Sequence, residues 1–215
     1  MKSKAAVNRI IETLKGIYPD GLCSLQYEKD YELLFAVRLS AQCTDERVNK
    51  VTPALYARFP TLESFAEADP AEVGAYVHSC GFYNGKARDI VACARKLVSE
   101  YGGRVPGTME ELTGLPGVGR KTANLILGDV FGQPAYVCDT HCIRITGRLG
   151  ITDGSKDPLQ VERQLRERIP PKESNNFCHR MVLFGRDTCT ARSPKCDGCP
   201  LAKDCDTAKA ADKKK

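Results

Sequence analysis

Four cysteines crowd near the end of the chain: Cys189, Cys196, Cys199 and Cys205, in the spacing C-x6-C-x2-C-x5-C. Four soft thiolates in so short a stretch can close around one metal centre. Structural zinc more often draws on two C-x-x-C pairs held apart. Here one close pair stands between two outlying ligands, which suits a larger object. A second chemical feature is the run Leu115-Pro116-Gly117-Val118-Gly119-Arg120-Lys121. Two glycines one residue apart let the backbone turn through conformations closed to other residues. They also leave no side chain over the turn, so N–H groups can approach a phosphate oxygen. A helix is expected to start here, and its N-terminus adds partial positive charge. Val118 can pack inward and brace the turn. A plain helix–helix connection would also accept G-x-G, and Lys121 taken alone is most simply a phosphate contact.

These groups need a scaffold, and the chain is long enough to build one. Its 215 residues, 42% hydrophobic, suit one large or two small domains. A net charge of +5 permits a polyanionic partner without demanding one. Lys213, Lys214 and Lys215 read as a solvated tail. No apolar run is long enough for a membrane span. Met1-Lys2-Ser3-Lys4 leads into an amphipathic pattern rather than a signal core. Eleven cysteines without a secretory signal argue against a disulfide scaffold. The seven outside the C-terminal group (Cys23, Cys43, Cys80, Cys93, Cys138, Cys142 and Cys178) read as small buried hydrophobes.

The apolar periodicity is helical almost throughout, so an all-α protein is expected. Val7, Ile10, Ile11 and Leu14 form one stripe, ended by Pro19-Asp20-Gly21. Leu33, Leu34 and Val37 predict a more buried helix, and Thr44 caps a third that runs to about Tyr56. Asp69-Pro70-Ala71-Glu72 reads as a helix start, with an N-cap, a proline at the first helical position and a glutamate at the third, and Thr108-Met109-Glu110-Glu111 reads as another capping box. Ala87, Ile90, Val91, Ala94 and Leu97 give the cleanest stripe, stopped by Gly102-Gly103. Further helices fit residues 120–131, 140–148, 158–168 and 174–185.

The string L-P-G-V-G-R-K-T-A-N, with V-C-D-T-H at 137–141 and the terminal cysteines, resembles the endonuclease III family. This is the bacterial branch of the helix-hairpin-helix DNA glycosylases, acting on oxidised pyrimidines. The likeness runs from about Asp30 to Cys205. It takes in L-S-A-Q at 39–42, Thr44-Asp45, G-F-Y-N at 81–84 and F-G-R-D-T-C at 184–189. The resemblance implies two helical lobes flanking a DNA-binding cleft. One is a six-helix barrel over 23–133 that carries the helix-hairpin-helix. The other is a discontinuous helical domain, 1–22 with 134–215, whose 189–205 loop holds a [4Fe–4S] cluster. A disulfide pairing of the four cysteines is disfavoured in a reducing cytoplasm.

The same resemblance implies roles for individual residues. Leu115, Gly117, Val118 and Gly119 would grip the DNA backbone without reading sequence. Lys121 stands at the nucleophile position: a neutral amine displaces the base from C1′, and the resulting iminium allows β-elimination of the 3′ phosphate. The helix N-terminus and partly dry surroundings would disfavour its ammonium form. Asp139 would stabilise positive charge on the sugar, and it equally fits an N-cap before Thr140-His141. Such enzymes flip the target nucleotide out of the duplex. Gln42 resembles the inserting residue and Phe82 the apolar wedge, with a core aromatic as the alternative for Phe82. Cys80 and Phe82 stand where aliphatic residues are typical of the family.

Arg192 and Lys195 would touch phosphate from the first inter-cysteine loop, against plain solvation. Ser40 and Asp45 would flank the cleft, and Arg186 would support the cluster or the DNA side. His141 would contact phosphate or pack locally. The expected protein is a monomeric, nucleoid-associated cytoplasmic glycosylase and AP lyase. Its substrate is double-stranded DNA carrying damaged bases or abasic sites. A related adenine-mismatch glycosylase is disfavoured because that relative lacks the lysine. A silent DNA-binding module is disfavoured by the Lys121–Asp139 pair.

Overall fold

Helix follows helix through the computed structural model, which describes residues 1–212, and no strand occurs among them. The expected tail Lys213 to Lys215 lies outside the described residues. In chain order the helices are α1 (Lys4–Ile17), α2 (Asp30–Ser40), α3 (Asp45–Arg58), α4 (Leu62–Glu67), α5 (Pro70–Val77) and α6 (Tyr83–Tyr101). They continue as α7 (Met109–Thr113), α8 (Arg120–Asp129), α9 (Thr140–Leu149), α10 (Pro158–Arg168), α11 (Ser174–Asp187) and α12 (Asp206–Asp212). Two compact units result: Cys23–Gly132, and Met1–Leu22 joined by the chain from Gln133 onward. No helix is long and apolar enough to cross a membrane among the described residues.

Side-chain caps start most helices where the sequence predicts. Thr44, Asp69, Thr108 and Asp157 each accept a backbone N–H from the first turn that follows. At Thr108 the expected reciprocal box takes a different form. The Glu111 carboxylate accepts from the Thr108 hydroxyl at 2.6 Å. Two helices have no counterpart among the sequence expectations, α4 and α12. Both are too short to show a periodic stripe. α4 is set by a local exchange in which Thr61 and Ser64 cap one another's backbone N–H groups.

In the unit Cys23–Gly132 the core is aromatic at one end and aliphatic at the other. Phe65 on α4 is fully buried, with the rings of Tyr31, Phe35, Tyr56 and Phe59 at centroid distances of 5.0 to 6.4 Å. The α6 stripe of Ala87, Ile90, Val91, Ala94 and Leu97 is buried as its spacing requires. In the other unit the α1 stripe of Val7, Ile10, Ile11 and Leu14 is buried, as are Phe177, Met181 and Phe184 of α11. Arg180 fixes the end of α1. Its guanidinium donates to the carbonyls of Tyr18 and Pro19, both at 2.9 Å. Gly21 lies against it, where a Cβ would come within 2.8 Å of Nε.

The buried-hydrophobe reading of the cysteines holds for Cys80, Cys93, Cys138, Cys142 and Cys178; Cys23 and Cys43 are only half-buried. Replacing Phe65 by alanine should remove a centre that four rings share. A loss of about 3–5 kcal/mol is expected, read as a lowered urea midpoint by circular dichroism.

Candidate functional site

The glycine turn rests on an ion pair. Arg38 of α2 donates to Asp89 of α6 through Nε at 2.7 Å, with Nη2 at 2.6 Å from the same carboxylate. Gly117 packs directly on the pair. Its φ is +73°, and a Cβ would lie 2.9 Å from Asp89 Cβ and 3.0 Å from Arg38 Cδ. Leu115 and Val118 are buried, and the Val118 N–H donates to the Leu115 carbonyl at 3.2 Å, closing the turn. Gly119 is the N-cap of α8 and offers no side-chain cap. No side chain of the cap residue therefore competes with an anion for the first-turn N–H groups.

Lys121 is the second residue of α8, as expected. Its side chain is exposed. The expectation of partly dry surroundings is therefore corrected: the chain alone does not bury this amine.

Gln42 and Phe82 share an unusual backbone. Among the described residues they are the non-glycine positions with positive φ, at +55° and +48°. Such a conformation costs an L-residue roughly 1–2 kcal/mol. Phe82 is 75% exposed, so the core-aromatic alternative is wrong. Both residues line one cavity of about 580 Å³ with Arg38, Tyr83, Asn84 and Arg88. The floor of this region holds Lys86, which sequence reasoning missed. Its Nζ donates to the carbonyls of Leu39 and Cys80, each at 2.8 Å. Burial pushes its ammonium below the ordinary lysine value, against the opposing pull of the Cys43 and Cys80 thiols. Burial, and then the neighbouring Cys43, push the Cys80 thiol up to about 11. A signal for Lys86 was present: it falls four residues before Ile90, on the apolar stripe of α6.

Asp139 belongs to the other unit. It is half-buried and caps α9, accepting the Cys142 N–H at 2.7 Å. Buried Ala135, Tyr136, Val137 and Cys138 lead into it and fix its entry. His141 packs locally. Arg144 Nη2 lies 3.2 Å from its Nδ1, and the bare Cα of Gly185 makes room for the ring. Ser40 donates to the Val37 carbonyl within α2 at 2.9 Å. Asp45 accepts from the Ser24 hydroxyl at 2.5 Å. Arg186 is exposed near the end of α11.

Further along α9, two arginines grip the cysteine loop. Arg144 donates to the Cys189 carbonyl at 2.9 Å. Arg148 donates to the Thr190 and Ala191 carbonyls at 2.7 and 2.8 Å and to Cys189 Sγ at 3.3 Å. Cys189, Cys196, Cys199 and Cys205 line one cavity, walled by Leu149, Phe184 and Leu201. Four thiols facing one apolar space, with a guanidinium donor on one sulfur, fit a cluster that needs four thiolates and charge compensation. Arg192 and Lys195 are exposed in the loop between the first two cysteines. Besides the Arg148 contacts, that loop is tied by the Lys195 N–H to the Thr188 carbonyl at 3.0 Å, the Cys196 N–H to the Pro194 carbonyl at 3.0 Å, and the Thr190 hydroxyl to the Ser193 carbonyl at 2.6 Å.

Known proteins match this chain over nearly its whole length. Residues 35–171 match the HhH-GPD superfamily of base excision DNA repair proteins, and residues 189–205 the iron–sulfur binding domain of endonuclease III. Endonuclease III of Synechocystis is 46% identical over 97% of this chain and 95% of the relative. That of Escherichia coli K12 is 37% identical over 98% of this chain and 99% of its own length. A non-covalent endonuclease III–DNA complex superposes with a TM-score of 0.93 at 39% identity, covering 99% of this chain and 100% of that one. A trapped endonuclease III–DNA covalent intermediate gives 0.92 at 40% identity, covering 98% of this chain and 99% of that one.

The contact beneath the glycine turn is testable. Gly117→Ala forces a Cβ onto the ion pair at a left-handed φ. It should cost about 1–2 kcal/mol of stability and weaken binding to duplex DNA. Fluorescence anisotropy at fixed ionic strength would read the affinity, and urea denaturation the stability.

Proposed function

The chain belongs to the endonuclease III family of base excision DNA repair enzymes, and we propose that Lys121 and Asp139 carry its chemistry. The protein is a bifunctional DNA glycosylase and AP lyase acting on duplex DNA with oxidised pyrimidines or abasic sites, and it carries a [4Fe–4S] cluster. The observation that carries the assignment of Lys121 is its place in the first turn of α8, directly after a turn with no side chain over it. The backbone N–H groups of Gly117 and Gly119 hold a phosphate there, those of Leu115 and Val118 being spent on the Leu112 and Leu115 carbonyls, and the amine stands beside the same nucleotide.

Gln42 and Phe82 enter the duplex as the damaged nucleotide leaves it. Their protruding backbone and the 75% exposure of Phe82 support this reading. An inserted ring replaces part of the stacking that the departing base gives up. The everted nucleotide covers Lys121 and supplies the drying that the protein alone does not. The uncharged amine then attacks C1′. The C1′–base bond breaks, the base departs with a proton, and opening of the sugar ring leaves an iminium between Nζ and C1′. Asp139 stabilises the positive charge that grows on the sugar and relays the proton. The iminium acidifies C2′. Loss of that proton breaks the C3′–oxygen bond and releases the 3′ phosphate.

The cluster, held by Cys189, Cys196, Cys199 and Cys205, supplies a rigid fold for the loop between its first ligands. From that loop Arg192 and Lys195 contact phosphate. The enzyme works in the cytoplasm at the nucleoid, where its substrate is.

Borohydride reduces an iminium to a stable amine, so it tests the assignment of Lys121. Wild type incubated with thymine-glycol or abasic-site duplex should give a covalent adduct. Lys121→Gln should give none while binding DNA with nearly unchanged affinity. Adduct formation by Lys121→Gln at the wild-type rate would remove the assignment.

Asp139→Asn keeps an oxygen to accept the Cys142 N–H, so α9 should stay capped. Its base-release rate should fall by about 100-fold or more, the loss of a strong electrostatic contribution. Single-turnover release of the damaged base would measure it.

A further inference from the structure

We propose that Lys86 is a positioning residue for base extrusion, its buried ammonium tying together the two chain reversals that present Gln42 and Phe82. The inference rests on the proposed insertion of those two side chains. Lys86 is on α6 with only 1% of its surface exposed. A buried cation is costly unless its donors are satisfied. Its Nζ donates at 2.8 Å to the carbonyls of Leu39 and Cys80.

Both acceptors stand at helix ends. Leu39 is in the last turn of α2, which ends at Ser40. Cys80 closes the short 3-10 segment His78–Cys80. Last-turn carbonyls have no intrahelical partner and carry the negative end of the helix dipole. One ammonium therefore completes both ends at once.

The chain reverses just beyond each acceptor. Gln42 is three residues past Leu39 and Phe82 two past Cys80, and both have the positive φ that L-residues avoid. Such conformations persist only where their surroundings over-determine them. Gln42 is exposed, and Phe82 is 75% exposed, so neither is held by packing of its own side chain. The Lys86 clamp is the charged constraint common to both, beside a thiol contact between Cys43 and Cys80. Without it the two reversals lose their shared donor and can relax towards extended backbone, and the side chains no longer stand at a fixed separation.

The test uses the cluster-loaded full chain as wild type, Lys86→Met, Lys86→Gln and the double variant Gln42→Ala/Phe82→Ala. Extrusion is read by the fluorescence of a 2-aminopurine beside the lesion. Chemistry that needs no extrusion is read as β-elimination at a preformed abasic site in single-stranded DNA. Lys86→Met should lower single-turnover excision from a paired duplex and the 2-aminopurine signal about tenfold or more, equivalent to ~1.4 kcal/mol. Single-strand β-elimination and the cluster's visible absorbance should stay at wild-type levels. Placing the lesion in a mismatch, where unpairing costs less, should restore much of the excision rate.

Lys86→Gln reaches one carbonyl in place of two and should fall between wild type and methionine. It decides the matter if Lys86→Met does not fold. Wild-type extrusion in Lys86→Met or, should that fail to fold, in Lys86→Gln would overturn the proposal. So would an equal loss of single-strand β-elimination, which marks general damage to the fold. If the double variant extrudes normally while Lys86→Met does not, the insertion reading fails. Lys86 then acts by another route, and the proposal falls with it.

Discussion

Gly117 can lie against Arg38 and Asp89 only because it has no Cβ, and the start of α8 follows from that contact. The ion pair is about a quarter to a third exposed on each side. Partly exposed pairs of this kind contribute ~0–1 kcal/mol, so the value of this one is geometric. It gives the turn a flat seat made from two helices, α2 and α6. On that seat the backbone reverses with no side chain over Gly117 and Gly119 and with Lys121 at the beginning of the next helix. The phosphate proposed to sit on the turn and the amine two residues past Gly119 would then form a single arrangement.

The same two helices also set the parts proposed to enter the duplex. Arg38 and Leu39 are neighbours near the end of α2, and Lys86 and Asp89 are one turn apart near the start of α6. One pair of contacts seats the glycine turn; the other joins the helix ends just before the reversals at Gln42 and Phe82. In the second unit α9 plays a comparable double role. Its N-cap is Asp139, and its Arg144 and Arg148 bind the loop of the cluster cysteines. Within this unit α9 links the cysteine loop to the carboxylate proposed to act on the sugar, which suits a structural part for the cluster.

Much of this was legible in the residues, and what was not has physical reasons. Helix starts were readable at Thr44, Asp69 and Thr108 because capping is a local matter between a side chain and a nearby N–H. The buried stripes of α1 and α6 followed from period alone. α4 was invisible because six residues cannot display a helical period. Motif resemblance located the phosphate turn, the cysteines and the carboxylate but said nothing of what braces them. Lys86 was passed over because a lysine on an apolar stripe reads as an irregularity until its two carbonyl partners, 47 and 6 residues away, are seen. The state of Lys121 was misread for the opposite reason. Helix position can be inferred from spacing, whereas hydration depends on everything nearby, including a substrate the sequence does not contain.

The most direct measurement is to locate the covalent bond itself. Wild-type enzyme reduced by borohydride on abasic-site DNA would be digested with protease and nuclease and sequenced by mass spectrometry. A deoxyribose remnant on Nζ of Lys121 is the result this account requires. A remnant on any other amine, whether the α-amino group of Met1 or another lysine, would contradict it.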